Sequence, residues 1–581
     1  MNVSRTSLAA LLAVWLAALP APTPAFGQVP VQPEAATGFR VKPAVVAPQA
    51  MVVTANAHAT NAAVSVLRDG GSAVDAAIAA ALVLNVVEPQ SSGIGGGGFL
   101  VHHDARKGRT SAWDGRETAP RAVDERLFLT AQGDKMAFYD AVVGGRSVGV
   151  PGLLRMFAEV HARHGRLPWS RLFQPAIRLA ADGFAVSPRL HTLIAQDRFL
   201  SRDPSARQLF FDADGRPLAE GATLRNPPLA EVLRTVAEQG ADAFYAGPIA
   251  RDIVDAVASG PNPGALSLGD LSGYRAVERP PLCGRYRVYR VCGMPPPSSG
   301  AATVLAMLGM LERFRLAEIP SDSAFAAHLF SEAGRLAFAD RDAWYGDPAA
   351  MPVAPARLLA REYLDGRAQQ ILLDDSLDRA LPGSPGKAAA PQAVNVEQPA
   401  TSHVSVVDAA GNAVSLTASI EDAFGSRRMV RGFLLNNQLT DFSFVPADER
   451  GPHPNRVGPG KRPRSSMSPT LVFDAGGKLH VVIGSPGGSQ IINYVAENLV
   501  GLLDWNMAPD ALLARPHVGS RNGPTEVEDR ADARQLAAGL AAFGHETVMR
   551  DLTSGLGVIV RRGREWVGAA DPRREGAAAG Y

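Results

Sequence analysis

The chain has 581 residues, 46% of them apolar and 20% charged, too many for one small core and an ordinary balance for a globular protein. A formal net charge of +1 excludes the basic footprint of a nucleic-acid binder and the polybasic patch of a membrane anchor, so neither partner is expected.

Residues 1–27 have the layout of a secretory signal: Arg5 as a short positive region, an apolar stretch from Leu8 to Leu19, and the small-residue exit Ala25-Phe26-Gly27. That stretch is short for a bilayer span, and no longer apolar run follows it. The reading is a periplasmic or secreted protein with residues 1–27 removed; an uncleaved anchor is the alternative. Residues 28–50 are rich in Pro, Ala and Val and are expected to be extended. Ala57–Arg68 has helical spacing and stops at Gly70-Gly71. Ser72 then caps a second helix, Ala73 to about Val87, which is apolar on nearly every side and therefore belongs to the core. Gly93-Ile94-Gly95-Gly96-Gly97-Gly98 formally matches the dinucleotide fingerprint. That fingerprint needs a strand before it and a helix after it, and here the order is reversed. The glycines are expected instead to let backbones approach closely beside a buried strand, Phe99–His103. No cofactor and no metal is expected.

Residues 150–275 alternate helical patterns with Pro/Gly breaks. Cys283 and Cys292, the two cysteines of the chain, bracket a tight hairpin turning at Arg287-Val288 that places them directly opposite. An oxidising compartment favours a disulfide there and cross-strand geometry strains one, so the sequence leaves the bond open. Met294-Pro295-Pro296-Pro297-Ser298-Ser299-Gly300 introduces another buried helix, Ala301–Phe314. Residues 374–400, with four prolines and the triple Ala388-Ala389-Ala390, predict a surface linker.

At Thr401 the texture changes to strands. Residues 403–407 and 413–419 flank Asp408-Ala409-Ala410-Gly411-Asn412, a hairpin turn. A pivot at Ala410 sets Val407 against Ala413, Val404 against Leu416 and Thr401 against Ser419, with a one-residue bulge able to shift the register. A threonine at such a junction does chemistry only if the peptide bond before it is cut, because its new α-amino group then serves as base for its own hydroxyl. The plain alternative is a β-branched residue that starts a strand.

Several segments together resemble the γ-glutamyltranspeptidase family of N-terminal nucleophile hydrolases: Gly95-Gly96-Gly97-Gly98-Phe99, Met294 to Gly300, Thr401 to Asp408, Leu434-Leu435-Asn436-Asn437-Gln438, Arg462 to Thr470, Gly484-Ser485-Pro486-Gly487-Gly488-Ser489 and Asp571 to Tyr581. The resemblance runs over almost the whole mature chain. It implies an α+β fold, the αββα four-layer sandwich. It also implies a precursor that cuts itself before Thr401 into a large subunit, 28–400, and a small catalytic subunit, 401–581, which stay together as a heterodimer. Thr401 is similar to the nucleophile, Ser419 to the hydroxyl residue that assists it, and Gly487 and Gly488 to the oxyanion-hole backbone. Arg116 resembles the arginine that holds the substrate α-carboxylate, Ser465 and Ser466 the serines that assist it, and Gln438 and Asp441 the groups that hold the α-ammonium. Read without the family, Arg116 is an ion pair, Asp441 a cap and the serines a turn. His403 invites a general-base role that the mechanism does not need, and we read it as structural.

Three positions and one segment depart from the family pattern. Glu421 stands where the best-known members carry Asn, adding a negative charge that would face the substrate ammonium. Thr440 replaces the first acid of an Asp-Asp pair, Arg464 replaces a usual Leu, and the segment between Asp441 and Ser465 has no Tyr and is shorter than a full lid. The implied activity is hydrolysis or transpeptidation of γ-glutamyl amides such as glutathione, with water or an amine as acceptor. A cephalosporin or glutaryl acylase of the same fold is the alternative, and a non-catalytic binding protein a more distant one.

Overall fold

The computed structural model describes residues 38–386 and 400–581. The signal reading for 1–27 and residues 387–399 of the proposed processing linker lie outside these residues. Two seven-stranded sheets face each other, and every pairing within them is antiparallel. The first sheet runs, edge to edge, Ala577–Gly580, Met51–Thr54, Ala400–Val407, Ala413–Glu421, Gly97–Asp104, Arg109–Gly115 and Val277–Arg279. The second runs Val45–Ala47, Glu565–Ala570, Gly557–Arg562, Leu479–Gly484, Thr470–Phe473, Tyr289–Gly293 and Leu282–Tyr286.

Alternation along the strands makes the layers. Val404, Val406, Val414 and Leu416 join the core under helices Ala57–Arg68 and Ala73–Val87. Their neighbours Ser405 and Ser415 point the other way and donate, at 3.0 Å each, to the Gly557 and Ile483 carbonyls of the facing sheet. Helices Gly300–Leu311, Ala324–Trp344 and Ile491–Leu503 share a second core with the strands of the second sheet. The result is the expected four-layer αββα sandwich.

Local signals behave as read. Ala73–Val87 is buried at every position, and Ser72 and Asp75 close a capping box at its start, a feature that typically stabilises a helix by about 1 kcal/mol. The glycine run packs against strand Ala413–Glu421 and its sequel: a Cβ on Gly95 or Gly96 would collide with the Leu434 or Ser419 carbonyl oxygen. Arg287 takes a positive φ of 54° at the hairpin tip, Cys283 pairs with Cys292, and a disulfide joins them.

The part of the linker that is described, 374–386, lies largely at the surface but is anchored there. Ser376 and the Leu377 amide bond Glu332 at 3.1 and 3.0 Å, and the Gly383 amide donates to Asp340 at 2.7 Å. Arg367 donates to the Leu381 carbonyl at 2.9 Å. Composition could not foresee this, because the anchoring partners lie on helices Ala324–Trp344 and Arg361–Ala368. Among the described residues no helix is long and apolar enough to cross a membrane.

Candidate active site

The hairpin keeps the expected register from Val407 opposite Ala413 to Ser402 opposite Ala418, then slips by one so that Ala400 faces Glu421. Thr401 lies at this bulge, where the ladder loosens and a side chain is re-aimed. Its Oγ1 donates to Ser419 Oγ at 3.3 Å. Ser419 Oγ donates in turn to the Ala400 carbonyl at 2.7 Å and accepts from the Glu421 amide at 2.9 Å. One hydroxyl thus touches both the side chain of Thr401 and the carbonyl of the peptide bond that precedes it.

These two residues open on a cavity of about 260 Å³ lined also by Arg116, Glu421, Gln438, Asp441, Ser465, Ser466 and Gly488. Of the ten site residues read from the sequence, only Gly487 is outside this lining. It is adjacent, with φ +133°, and Gly488 has φ +56°; together they lead through a short turn into helix Ile491–Leu503. Glycine is required at 487, since a Cβ there would meet the Tyr494 ring at 2.7 Å in a φ region that side chains avoid. Amides entering a helix start have no intrahelical acceptor, which suits them to stabilise an oxyanion.

Arg116 is fully buried. Its Nε donates to the Pro463 carbonyl at 3.2 Å and its Nη2 to the Arg464 carbonyl at 2.9 Å. The same Nη2 pairs with Asp441. Gln438 Nε2 also donates to Asp441, at 2.8 Å, and Asn455 holds the Asp441 backbone carbonyl at 2.7 Å. Asp441, expected at the substrate ammonium, is therefore paired with the arginine expected at the substrate carboxylate. A zwitterionic α-amino acid group can exchange this one ion pair for two, its carboxylate on Arg116 and its ammonium on Asp441. The Glu421 carboxylate accepts from Asn437 Nδ2, and Asn437 Nδ2 also donates to Thr440 Oγ1 at 3.0 Å. Thr440 thus serves the asparagine that steadies Glu421.

Burial pushes the Glu117 carboxyl up to about 8, against the opposing pull of Arg116, so at neutral pH it is largely uncharged behind the arginine. Burial pushes His403 down to about 3. Its two nitrogens are bonded to Thr417 and Ser405 hydroxyls at 2.9 and 3.0 Å, the geometry of a neutral histidine stitching the two strands.

Sequence reading missed Asn437 as a partner of Glu421, although it lies inside a motif quoted above. It missed Glu117, whose only signal is adjacency to Arg116. Arg574, whose Nη1 donates to the Thr401 carbonyl at 3.4 Å, was visible only as part of the C-terminal motif. Arg464 is now explained: its buried guanidinium donates to the Arg341 carbonyl at 3.1 Å and pairs with Asp342 at 3.1 Å. Away from this cavity, His328, Glu332 and His545 bring ligand atoms within 4.8 Å of one another. Each is already engaged: the imidazoles bond each other at 2.7 Å, His328 also bonds the Leu372 carbonyl at 2.7 Å, and Arg335 pairs with Glu332 at 3.0 Å.

Comparison with known proteins gives a consistent result. The family model described as gamma-glutamyltranspeptidase matches residues 59–581. The chain is 35% identical to the glutathione hydrolase proenzyme of Escherichia coli (strain K12), over 98% of this chain and 97% of that protein. It is 34% identical to the acylase ACY 1 proenzyme of Pseudomonas sp. (strain V22), over 92% of each. Its fold matches the crystal structure of cephalosporin acylase from Bacillus halodurans with a TM-score of 0.83 and 28% identity, over 93% of this chain and 97% of that one. With the sandwich, the cavity and a family match across nearly its whole length, the chain belongs to the γ-glutamyltranspeptidase family of N-terminal nucleophile hydrolases.

Proposed function

We propose that the protein is exported, cuts itself between Ala400 and Thr401, and then transfers γ-glutamyl groups through Thr401. The chain is an enzyme, a γ-glutamyl hydrolase and transferase. In processing, Thr401 Oγ1 attacks the Ala400 carbonyl carbon, the C–N bond breaks, and the acyl group moves to the hydroxyl as an ester. Water hydrolyses the ester, leaving a carboxylate on Ala400 and a free α-amine on Thr401. The Ser419 hydrogen bond to the Ala400 carbonyl supports this step, because it draws charge toward the oxygen that becomes negative. In turnover the α-amine takes the Thr401 hydroxyl proton. Oγ1 attacks the γ-carbonyl of a γ-glutamyl amide such as glutathione, the amine leaves with the proton, and water or an amino-acid amine accepts the acyl group. Gly487 and Gly488 amides hold the oxyanion, and Ser465 and Ser466 join Arg116 on the α-carboxylate.

The observation that carries this reading is the convergence of Thr401, Ser419, Arg116, Glu421 and Asp441 on one small cavity. Two acids lining the cavity, Glu421 and Asp441, favour a substrate with an α-ammonium over the glutaryl group of an acylase substrate. The test is direct: N-terminal sequencing of the small fragment of purified protein should begin Thr-Ser-His-Val, and glutathione and γ-glutamyl anilides should be turned over faster than glutaryl β-lactams. Preference for the glutaryl substrates would replace this reading with the acylase one.

A further inference from the structure

The turn that carries Gly487 and Gly488 is held from outside the cavity. The Gln490 amide donates to the Gly487 carbonyl at 3.2 Å. Across a planar trans peptide the Gly488 amide points opposite to that carbonyl, so the position of Gln490 decides which way the amide faces. Gly488 itself lines the cavity. The next two side chains are both tied to a small three-stranded sheet, Val518–Gly519, Thr525–Glu528 and Thr547–Arg550. Gln490 Nε2 donates to Glu526, while Gln490 Oε1 accepts from Asn493 Nδ2 at 2.8 Å. Ser489 Oγ accepts from Arg521 Nη1 at 2.7 Å. Arg521 in turn forks onto Glu526, through Nε at 3.1 Å and Nη2 at 2.8 Å. Arg550 Nε reaches the same carboxylate at 2.8 Å.

Glu526 is buried, at 5% exposure, and the chemistry above does not use it. A carboxylate is the acceptor that one amide and two guanidiniums can share. Both side chains of the turn therefore converge on Glu526, Gln490 directly and Ser489 through Arg521. Two successive glycines at φ +133° and +56° have more backbone freedom than any other pair. An oxyanion hole works only if its donors stay where charge develops, so such a pair needs a brace. The Gln490 and Ser489 side chains supply one, and Glu526 is its fixed end.

We propose that Glu526 is a positioning residue for the oxyanion hole: through Gln490, and through Arg521 on Ser489, it fixes the turn that aims the Gly488 amide. This rests on the γ-glutamyl reading of the preceding subsection. Glu526 touches no substrate, so its effect should fall on the tetrahedral state and spare the docking of the substrate's carboxylate and ammonium.

The experiment separates these two states. Wild type, Glu526→Gln, Glu526→Asp, Gln490→Met and the Glu526→Gln/Gln490→Met double variant are assayed on γ-glutamyl anilide after confirming equal cleavage into two chains. Each is also titrated with L-glutamate, which mimics the docked acyl group. A third arm uses the γ-boronic acid analogue of glutamate, whose boron takes Thr401 Oγ1 to form a tetrahedral adduct. Glu526→Gln should lower kcat about tenfold and weaken the boronic acid about tenfold, with glutamate inhibition within about twofold of wild type. Gln490→Met should do the same, and the double variant should be no worse than Glu526→Gln alone, because both act on one turn. Glu526→Asp keeps the charge for Arg521 and Arg550 but is one methylene short of Gln490, so kcat should stay low. It carries the test should Gln at 526 block processing, and Gln490→Met carries it should both fail. Equal weakening of glutamate and the boronic acid, full rescue by Asp, or multiplied losses in the double variant would overturn the proposal in favour of a purely structural carboxylate. A wild type that does not turn over γ-glutamyl anilide would overturn the γ-glutamyl reading itself, and this inference with it.

Discussion

Thr401 and Ser419 meet because one hairpin folds on itself; they are 18 residues apart. Arg116 and Asp441, which line the same cavity, are 325 residues apart. The first wall is made of neutral hydroxyls on paired strands and needs only local register. The second is made of charges at the ends of short elements, each held by groups distant in sequence: the Pro463 and Arg464 carbonyls for the Arg116 guanidinium, and Arg116 for the Asp441 carboxylate, whose backbone carbonyl is fixed by Asn455. The hydroxyl wall should therefore control whether chemistry happens, and the charged wall which acyl group is accepted. The two functions should separate under mutation.

The sharpest way to break that division is Thr401→Ala. The expected outcome is a single uncut chain on a denaturing gel and no turnover of any γ-glutamyl substrate, since nucleophile and base are both lost. A variant that still splits at this bond would assign processing to an external protease and detach the hydroxyl wall from self-cleavage.

Arg116→Lys probes the other wall. Lysine keeps the charge but cannot serve the Pro463 carbonyl, the Arg464 carbonyl and a carboxylate together. Processing should persist while kcat/KM for γ-glutamyl anilide falls roughly 30- to 160-fold, mostly through KM, as expected for losing about 2–3 kcal/mol of charge-assisted hydrogen bonding. Unchanged steady-state kinetics would show that the carboxylate docks elsewhere.

Glu421→Asn refines the charged wall further. Wild type should favour γ-glutamyl over glutaryl amides because the glutaryl group has no ammonium for Glu421 and Asp441. Removing one acid should narrow that preference by roughly fivefold, on the order of 1 kcal/mol. An unchanged ratio, measured on matched anilides after equal processing, would show that Glu421 does not touch the ammonium.

How much of each wall could be read in advance follows from the same contrast. The hairpin register and the Ser72 cap come from contacts within a few residues or across one turn, where periodicity and turn chemistry decide. The bulge that places Thr401 was allowed by the pattern but not located by it. The identities of Arg116, Asp441 and the serines were legible through family motifs. Their pairing was not: nothing local to Asp441 indicates that Arg116 is its partner. Glu526 and the anchoring of residues 374–386 were invisible, because a buried carboxylate on a short strand looks like any solvated charge until the strand is docked.

The last effect, on stability rather than on turnover, lies behind the charged wall, at Glu117. Its carboxyl is raised from an ordinary 4.5 to about 8 by burial, with Arg116 pulling the other way. The folded protein therefore binds a proton more tightly than the unfolded chain, and this carboxyl withdraws stability as pH rises from about 4.5 to about 8. Glu117→Gln keeps the shape and cannot ionise. Its melting temperature should match wild type near pH 5 and exceed it near pH 8, where the burial penalty on the ionised carboxyl is relieved. The buried Glu88 and Glu497, raised to about 7 and about 8, add a drift in the same direction, so the measured quantity is the difference between variant and wild type across the pH series. Thr401→Ala, on the hydroxyl wall, should show the full wild-type drift. If Glu117→Gln is destabilised equally at both pH values, Glu117 is ionised in the folded state and serves as a second counter-ion to Arg116, and the charged wall has one more working carboxylate than described.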